Sequence, residues 1–439
     1  MTSIRRYILR GAATGLAASA GNIAVVFTLT PLLIALMGAE NYGVWALCYF
    51  FAGLGQLGDI GLSRAVTQLL MGPDNKDRQH RLQSAGLVIS MIMIAAVGLL
   101  LWLGYLLGLR AFQSNSSITD SLYNSLFVAG TVTMFSAAAI SILRGVIESQ
   151  MRITFLNSIQ FFQTLSLNVV AILVWLWFGT LDHSIGAFGL TYVLILTVLA
   201  TICFRTGFRV SAFGWAELRQ VFRTASGYFA SAFFNVLLLP FNRFVALEAA
   251  PTAVVHAIFD IAVRISEAAT GLLTALSSSL FSQFLKLGRL KVLKIRLLVR
   301  RSELILFGCY VCGCVLYYFL APFISAWLLP EHAAALVAAS VLLVPLRAVT
   351  GVAEPATRAI WAFDRVMTLV PFRIALLALS VLIVLVTPGF DPLMRVVLAF
   401  GLPLAIMTPA VMIWFRIQAN RIAESLDPAA SKSGHFSQV

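Results

Sequence analysis

Four residues on one apolar stretch, His256, Asp260, Arg264 and Glu267, are spaced by 4, 4 and 3 positions. At about 100° per residue that spacing puts them along one stripe of a helix. A second stretch carries Arg347, Glu354 and Arg358 at i, i+7 and i+11; two more hold Asp59 with Arg64 and Arg243 with Glu248. A guanidinium stays charged at any physiological pH and grips phosphate oxygens two at a time. Arg64, Arg243 and Arg347, which lack an evident partner in sequence, are therefore candidates to hold an anionic headgroup, and carboxylates beside them suit a proton or a bound cation. The blander reading is that Asp260 with Arg264 and Glu354 with Arg358 neutralise each other at i,i+4.

What must position these charges is a membrane-spanning scaffold. The chain has 439 residues, of which 60% are hydrophobic and 11% charged, against about 45–50% and about 25% in soluble domains. Apolar runs of about twenty residues recur from end to end, the length a helix needs to cross a hydrocarbon core of roughly 30 Å. Twelve spans are expected, near 11–37, 43–70, 83–109, 121–143, 153–178, 185–203, 227–248, 253–285, 302–326, 335–357, 366–386 and 393–414. Were the intramembrane charges lipid-facing, their summed cost would exceed about 20 kcal/mol, more than a typical folding free energy. A polar cavity between two halves of the protein is therefore expected. Arg110, Arg373 and Arg395, near span ends, are expected to snorkel.

The net charge of +13 is a topology signal and no nucleic-acid signal. Alternate connections hold 24 of the 31 Lys and Arg, which places both termini and the even-numbered turns in the cytoplasm. The division is then a first six-helix lobe at 1–204, a cytoplasmic amphipathic linker at 205–226, a second six-helix lobe at 227–417 and a tail at 418–439. Both lobes start on one side, so a repeat would be parallel. Asp59-Ile60 with Arg64 resembles Asp260-Ile261 with Arg264, and Gly145-Val146-Ile147-Glu148 with Arg152 matches Gly351-Val352-Ala353-Glu354 with Arg358, at separations of 201 and 206 residues. The basic, leucine-rich segment 286–301 and the Trp215, Leu218, Phe222 pattern suit helices lying against membrane lipids.

Several functions drop out. No G-x-x-x-x-G-K-[ST] run occurs, so the chain is not expected to hydrolyse ATP. Cys309, Cys312 and Cys314 have no His or fourth thiol in their helix to complete a metal site and are expected to pack as small residues. Outer connections of about ten residues or fewer leave little room for an acceptor site, so no catalytic residue and no enzyme is expected, and no cofactor is implied.

Gly38-Ala-Glu-Asn-Tyr42-Gly43-Val-Trp45 followed by Leu57-Gly58-Asp59-Ile60-Gly61-Leu62-Ser63-Arg64 resembles the first hairpin of the polysaccharide transporter family. These are flippases of lipid-linked oligosaccharides and O-antigen repeat units within the multidrug, oligosaccharidyl-lipid and polysaccharide exporter superfamily. More weakly, Asn242-Arg243-Phe244 stands where that family often has Asp-Arg, and Ile324-Ser325-Ala326-Trp327-Leu328 resembles its turn after the ninth span. The resemblance implies an all-α multi-pass protein of the bacterial inner membrane, twelve helices in two lobes around a central cavity. Its implied activity is translocation of polyprenyl-pyrophosphate-linked oligosaccharide, with membrane lipids and polysaccharide polymerase machinery as partners. On this reading Arg64, Arg243, Arg264 and Arg347 neutralise the pyrophosphate. Asp59, Asp260, Glu267 and Glu354 orient the arginines, bind sugar hydroxyls or couple to H+ or Na+. The alternatives are a cation-coupled multidrug exporter or a peptidoglycan-precursor flippase of the same superfamily and, from another class, a membrane glycosyltransferase or polymerase.

Overall fold

A computed structural model describes residues 2–59, 62–70, 76–106, 119–150, 152–206, 208–248, 253–277, 280–287, 292–363 and 365–426. These residues are helical almost throughout, with no strand among them. Twelve spans account for them. The first six are α1 (Thr2–Met37), the broken span α2 (Ala39–Ala46), α3 (Cys48–Asp59) and α4 (Leu62–Leu70), then α5 (Lys76–Leu106), α6 (Asp120–Ser149), α7 (Ile153–Phe178) and α8 (Leu181–Arg205). The second six are α9 (Trp215–Glu248), the pair α10 (Val254–Ser277) and α11 (Leu280–Leu287), α12 (Val292–Leu328), the pair α13 (Ala333–Val352) and α14 (Glu354–Ala362), α15 (Val370–Val386) and α16 (Pro392–Leu426).

Nine segments among the described residues are long and apolar enough to cross a membrane. The remaining three spans, α2 to α4, α9 and α10, are those that carry the clustered charges or are broken along their length. Their stability must come from packing against the other helices, because a polar span cannot be held by lipid alone. Accordingly α3 packs on α6 and α9, and α10 packs on α13 and α1.

Glycines set the closest approaches. A Cβ on Gly145 of α6 would lie 2.6 Å from the Ser63 carbonyl oxygen on α4, and one on Gly351 of α13 would lie 2.7 Å from Leu273 Cβ on α10. The duplicated Gly-Val-x-Glu motif thus marks the same joint in both halves: the fourth span against the second, and the tenth against the eighth. Thr67 strengthens the first joint by donating to the Gly145 carbonyl at 3.0 Å.

Pro31 sits inside α1 and brings no N–H, so the Phe27 carbonyl loses its helical donor. Trp327, at the end of α12 in the other half, supplies a substitute: its indole Nε1 donates to Phe27 O at 2.8 Å. In hydrocarbon an unmet carbonyl is costly, so this bond ties α1 at Phe27 to the second half. Of the cysteine cluster, Cys309 and Cys312 are exposed, so the expected small-residue packing is corrected: α12 turns these two outward.

Candidate functional site: a buried ion triad between two polar chambers

Asp260 is fully buried on α10. Arg243, one turn past Pro240 in α9, donates from Nη2 to Asp260 Oδ1 at 2.6 Å, and Arg264, one turn along α10, donates from Nε to Oδ2 at 2.7 Å. The Tyr42 hydroxyl of α2 reaches Oδ2 at 3.3 Å. Rings close over the cations: the Arg264 guanidinium carbon lies 4.3 Å from the Tyr49 ring centre and 5.9 Å from that of Trp45. Charge-assisted hydrogen bonds and cation–π contacts of this kind offset the desolvation of the ions. Two guanidiniums to one carboxylate leave the cluster with one net positive charge.

The triad lies on the seam between the halves. His256, one turn before Asp260, donates from Nδ1 to the Gly43 carbonyl at 2.9 Å. Helices α2 and α10 touch so closely there that a Cβ on Gly43 would lie 2.3 Å from the Ala253 carbonyl oxygen. On the topology set by the basic connections, this seam seals the outer end.

Toward the cytoplasm the halves part around a chamber of about 320 Å³, lined by Arg144, Arg243, Arg264, Glu267 and the neutral polar residues of α1 and α7. Among the described residues Arg243 Nε and Arg264 Nη2 are buried without a hydrogen-bond acceptor, a cost that the triad's ion pairs offset. A second chamber of about 250 Å³ lies wholly within the second half, where Arg347, Glu354 and Arg373 meet threonines of α10, α13 and α14. The two are joined by one ion pair: Arg347 Nη2, from the second chamber, donates to Glu267 Oε1, from the first, at 2.9 Å. On the other side of α1 runs an apolar groove of about 430 Å³ between α1, α10, α12 and α13. Ala268 of α10 borders both groove and first chamber, so the wall between a basic chamber and an apolar groove is made by α1 and α10 packed together.

Some sequence expectations need correcting. Arg243 and Arg347 do not stand unpaired: Arg243 joins Asp260, and Arg347 joins Glu267. The i,i+4 pairs do form, Asp260 with Arg264 at 2.7 Å and Glu354 with Arg358 at 2.9 Å. The charges divide between two chambers where the sequence predicts one: Arg243, Arg264 and Glu267 line the first, Arg347 and Glu354 the second. The side chains of Asp59 and Arg64 lie outside the described ones. Arg144 falls in a cytoplasmic turn when the fourth span ends at 143, yet α6 runs on to Ser149 and places it in the first chamber, where its Nη2 donates to Gln163 Oε1 at 2.5 Å. Its i,i+4 relation to Glu148 was the available signal that the helix continues. Arg373, expected to snorkel, lines the second chamber.

No protein-family model matches the sequence, and no curated protein matches it. Solved structures do. A mutant of the Vibrio cholerae MATE transporter VcmN superposes with a TM-score of 0.67 at 14% identity, covering 96% of this chain and 98% of that one. A MATE structure in complex with MaD3S gives a TM-score of 0.67 at 14% identity, over 96% and 97%. A MOP-superfamily transporter from Pyrococcus furiosus, described as having a binding pocket of reverse polarity that suggests a different function, gives 0.61 at 14%, over 96% and 97%. The chain therefore has the fold of the MATE transporters of the MOP superfamily, built as a multi-pass membrane protein.

Proposed function

We propose that the protein is a secondary transporter that carries a phosphate-bearing amphiphile, a polyprenyl-pyrophosphate-linked oligosaccharide, from the cytoplasmic to the outer leaflet of a bacterial inner membrane. The carrying observation is the pairing of a basic chamber with an apolar groove on either side of the wall made by α1 and α10. The first chamber is lined by Arg144, Arg243 and Arg264 against the single carboxylate Glu267, and guanidinium groups suit phosphate oxygens. The groove beyond α1 suits the hydrocarbon tail. Residues 1–204 and 227–417 act as the two lobes, and rocking about α1 and α10 exchanges access. Glu267 and Glu354, the carboxylates lining the chambers, are the groups positioned to take up H+ or Na+. The polysaccharide polymerase machinery would receive the product.

The likeness to MATE structures, one of them described as a multidrug resistance MATE family transporter in an inward-facing conformation, supports a second reading, cation-coupled multidrug export. A cationic drug would seek acidic walls, and the excess of arginine in the first chamber speaks against it. Analysis of lipid-linked intermediates in a strain lacking this gene separates the two. Accumulated polyprenyl-pyrophosphate oligosaccharide with loss of surface polymer supports the flippase; normal polymer with new drug sensitivity overturns it.

A further inference from the structure

Between Ala13 and Met37, α1 has no charged residue, and neither has α7 from Ile153 to Phe178. Yet eight of the first sixteen residues of α7 are neutral and polar, from Thr154 to Asn168, while the last ten contain none. That half of the helix is the one nearer the cytoplasm. Lipid gives no reason for amides there, since an unmet amide in hydrocarbon costs several kcal/mol by order of magnitude. The chamber gives one: Gln160, Gln163 and Thr164 of α7 line it opposite Ser19 and Asn22 of α1.

These residues differ in how far the protein itself satisfies them. Gln163 is committed to Arg144, and Thr164 donates to the Gln160 carbonyl. Asn22 lines the chamber with its Oδ1 buried and without a partner among the described residues, so it meets a ligand only by turning its side chain, and the Gln160 side chain is exposed on the chamber side. A carboxamide offers both a donor and an acceptor and carries no charge. Such a wall does little for a phosphate, which the arginines already serve, and little for a cation. It suits the many alternating donors and acceptors of a sugar, with Tyr49 and Tyr192 lining the same chamber as flat apolar surfaces.

We infer that Gln160 and Asn22 are specificity residues that read a neutral, polyhydroxylated head attached to the phosphate, separately from the arginines that hold the phosphate itself. This rests on the anionic-amphiphile reading above. The test uses full-length protein in nanodiscs and two probes: a polyprenyl phosphate with a bare headgroup, and the same lipid bearing a neutral disaccharide. Each hydrogen bond lost is worth about fivefold in affinity. The wild type should therefore prefer the sugar lipid, and Asn22→Leu with Gln160→Leu should weaken that lipid roughly thirty-fold while leaving the bare lipid unchanged. Unchanged binding of the bare lipid also reports an intact fold. Equal losses for both lipids, or a wild type that does not distinguish them, overturns the inference alone. Binding of neither lipid by the wild type overturns the anionic-amphiphile reading and this inference with it.

Discussion

Asp260→Asn should unseal the outer end. Among the described residues Asp260 is the only carboxylate paired with Arg243 and Arg264, at 2.6 and 2.7 Å, in a site buried from solvent. Deleting one partner of a buried ion pair costs about 3–5 kcal/mol, because the remaining charge stays desolvated. That cost falls on the sealed state; once the seam parts, water can solvate both guanidiniums. At 1.4 kcal/mol per factor of ten, the open population should rise by roughly 10²-fold or more. Cys48 supplies the assay. It is 1% exposed at the start of α3, between Trp45 and Tyr49 of the cage, and with the other four cysteines replaced its alkylation by a charged reagent added from outside reports opening. The labelling rate should rise by about two orders of magnitude. A charge-free triple variant, Arg243→Met, Asp260→Leu and Arg264→Met, should return near the wild-type rate, since an apolar trio needs no water. A folded Asp260→Asn protein labelled at the wild-type rate would refute the reasoning.

Gly43→Ala should part α2 from α10, because its Cβ would lie 2.3 Å from a backbone oxygen that cannot easily retreat; a loss of about 1–3 kcal/mol should appear as faster Cys48 labelling and a lowered unfolding temperature in detergent. Trp327→Phe keeps an aromatic ring but removes the donor to Phe27 O, so it should cost about 1–3 kcal/mol and speed hydrogen exchange in α1 around Pro31, whereas unchanged exchange would show that the bond does not hold α1 there. On the cytoplasmic side, Arg81 donates to Glu217 at 2.8 Å and holds that carboxyl below the usual glutamate range. The tie between α5 and α9 is then present at neutral pH and lost as pH falls through the lowered value; Glu217→Gln should reproduce at pH 7 the loosening of the α9 start that hydrogen exchange detects in wild type only in acid.

The spans were legible because hydrocarbon imposes a length on each apolar run. The stripe on α10 was legible too, since helical periodicity alone puts His256, Asp260 and Arg264 on one face. Periodicity cannot say what that face meets. That Arg243 would complete the triad depends on α9 lying against α10, and that Arg347 would open into a separate chamber depends on α15 and α16 closing it off. Arg144 was hidden by ending a span at residue 143, where the apolar run stops, although the helix continues to Ser149. The Gly145 and Gly351 motifs were visible as a repeat, but their purpose, admitting Ser63 and Leu273 at contact distance, is a property of the neighbours.

The central claim, an anionic amphiphile as cargo, is tested most directly by reconstitution. Purified protein in sealed vesicles is given a fluorescent polyprenyl pyrophosphate in the inner leaflet, and its arrival outside is followed by quenching with an impermeant reagent, in parallel with uptake of a cationic dye under an H+ or Na+ gradient. The account predicts that the lipid crosses faster than in empty vesicles, that Arg144→Gln slows it, and that the dye does not accumulate. Gradient-driven dye accumulation with no movement of the lipid would contradict it.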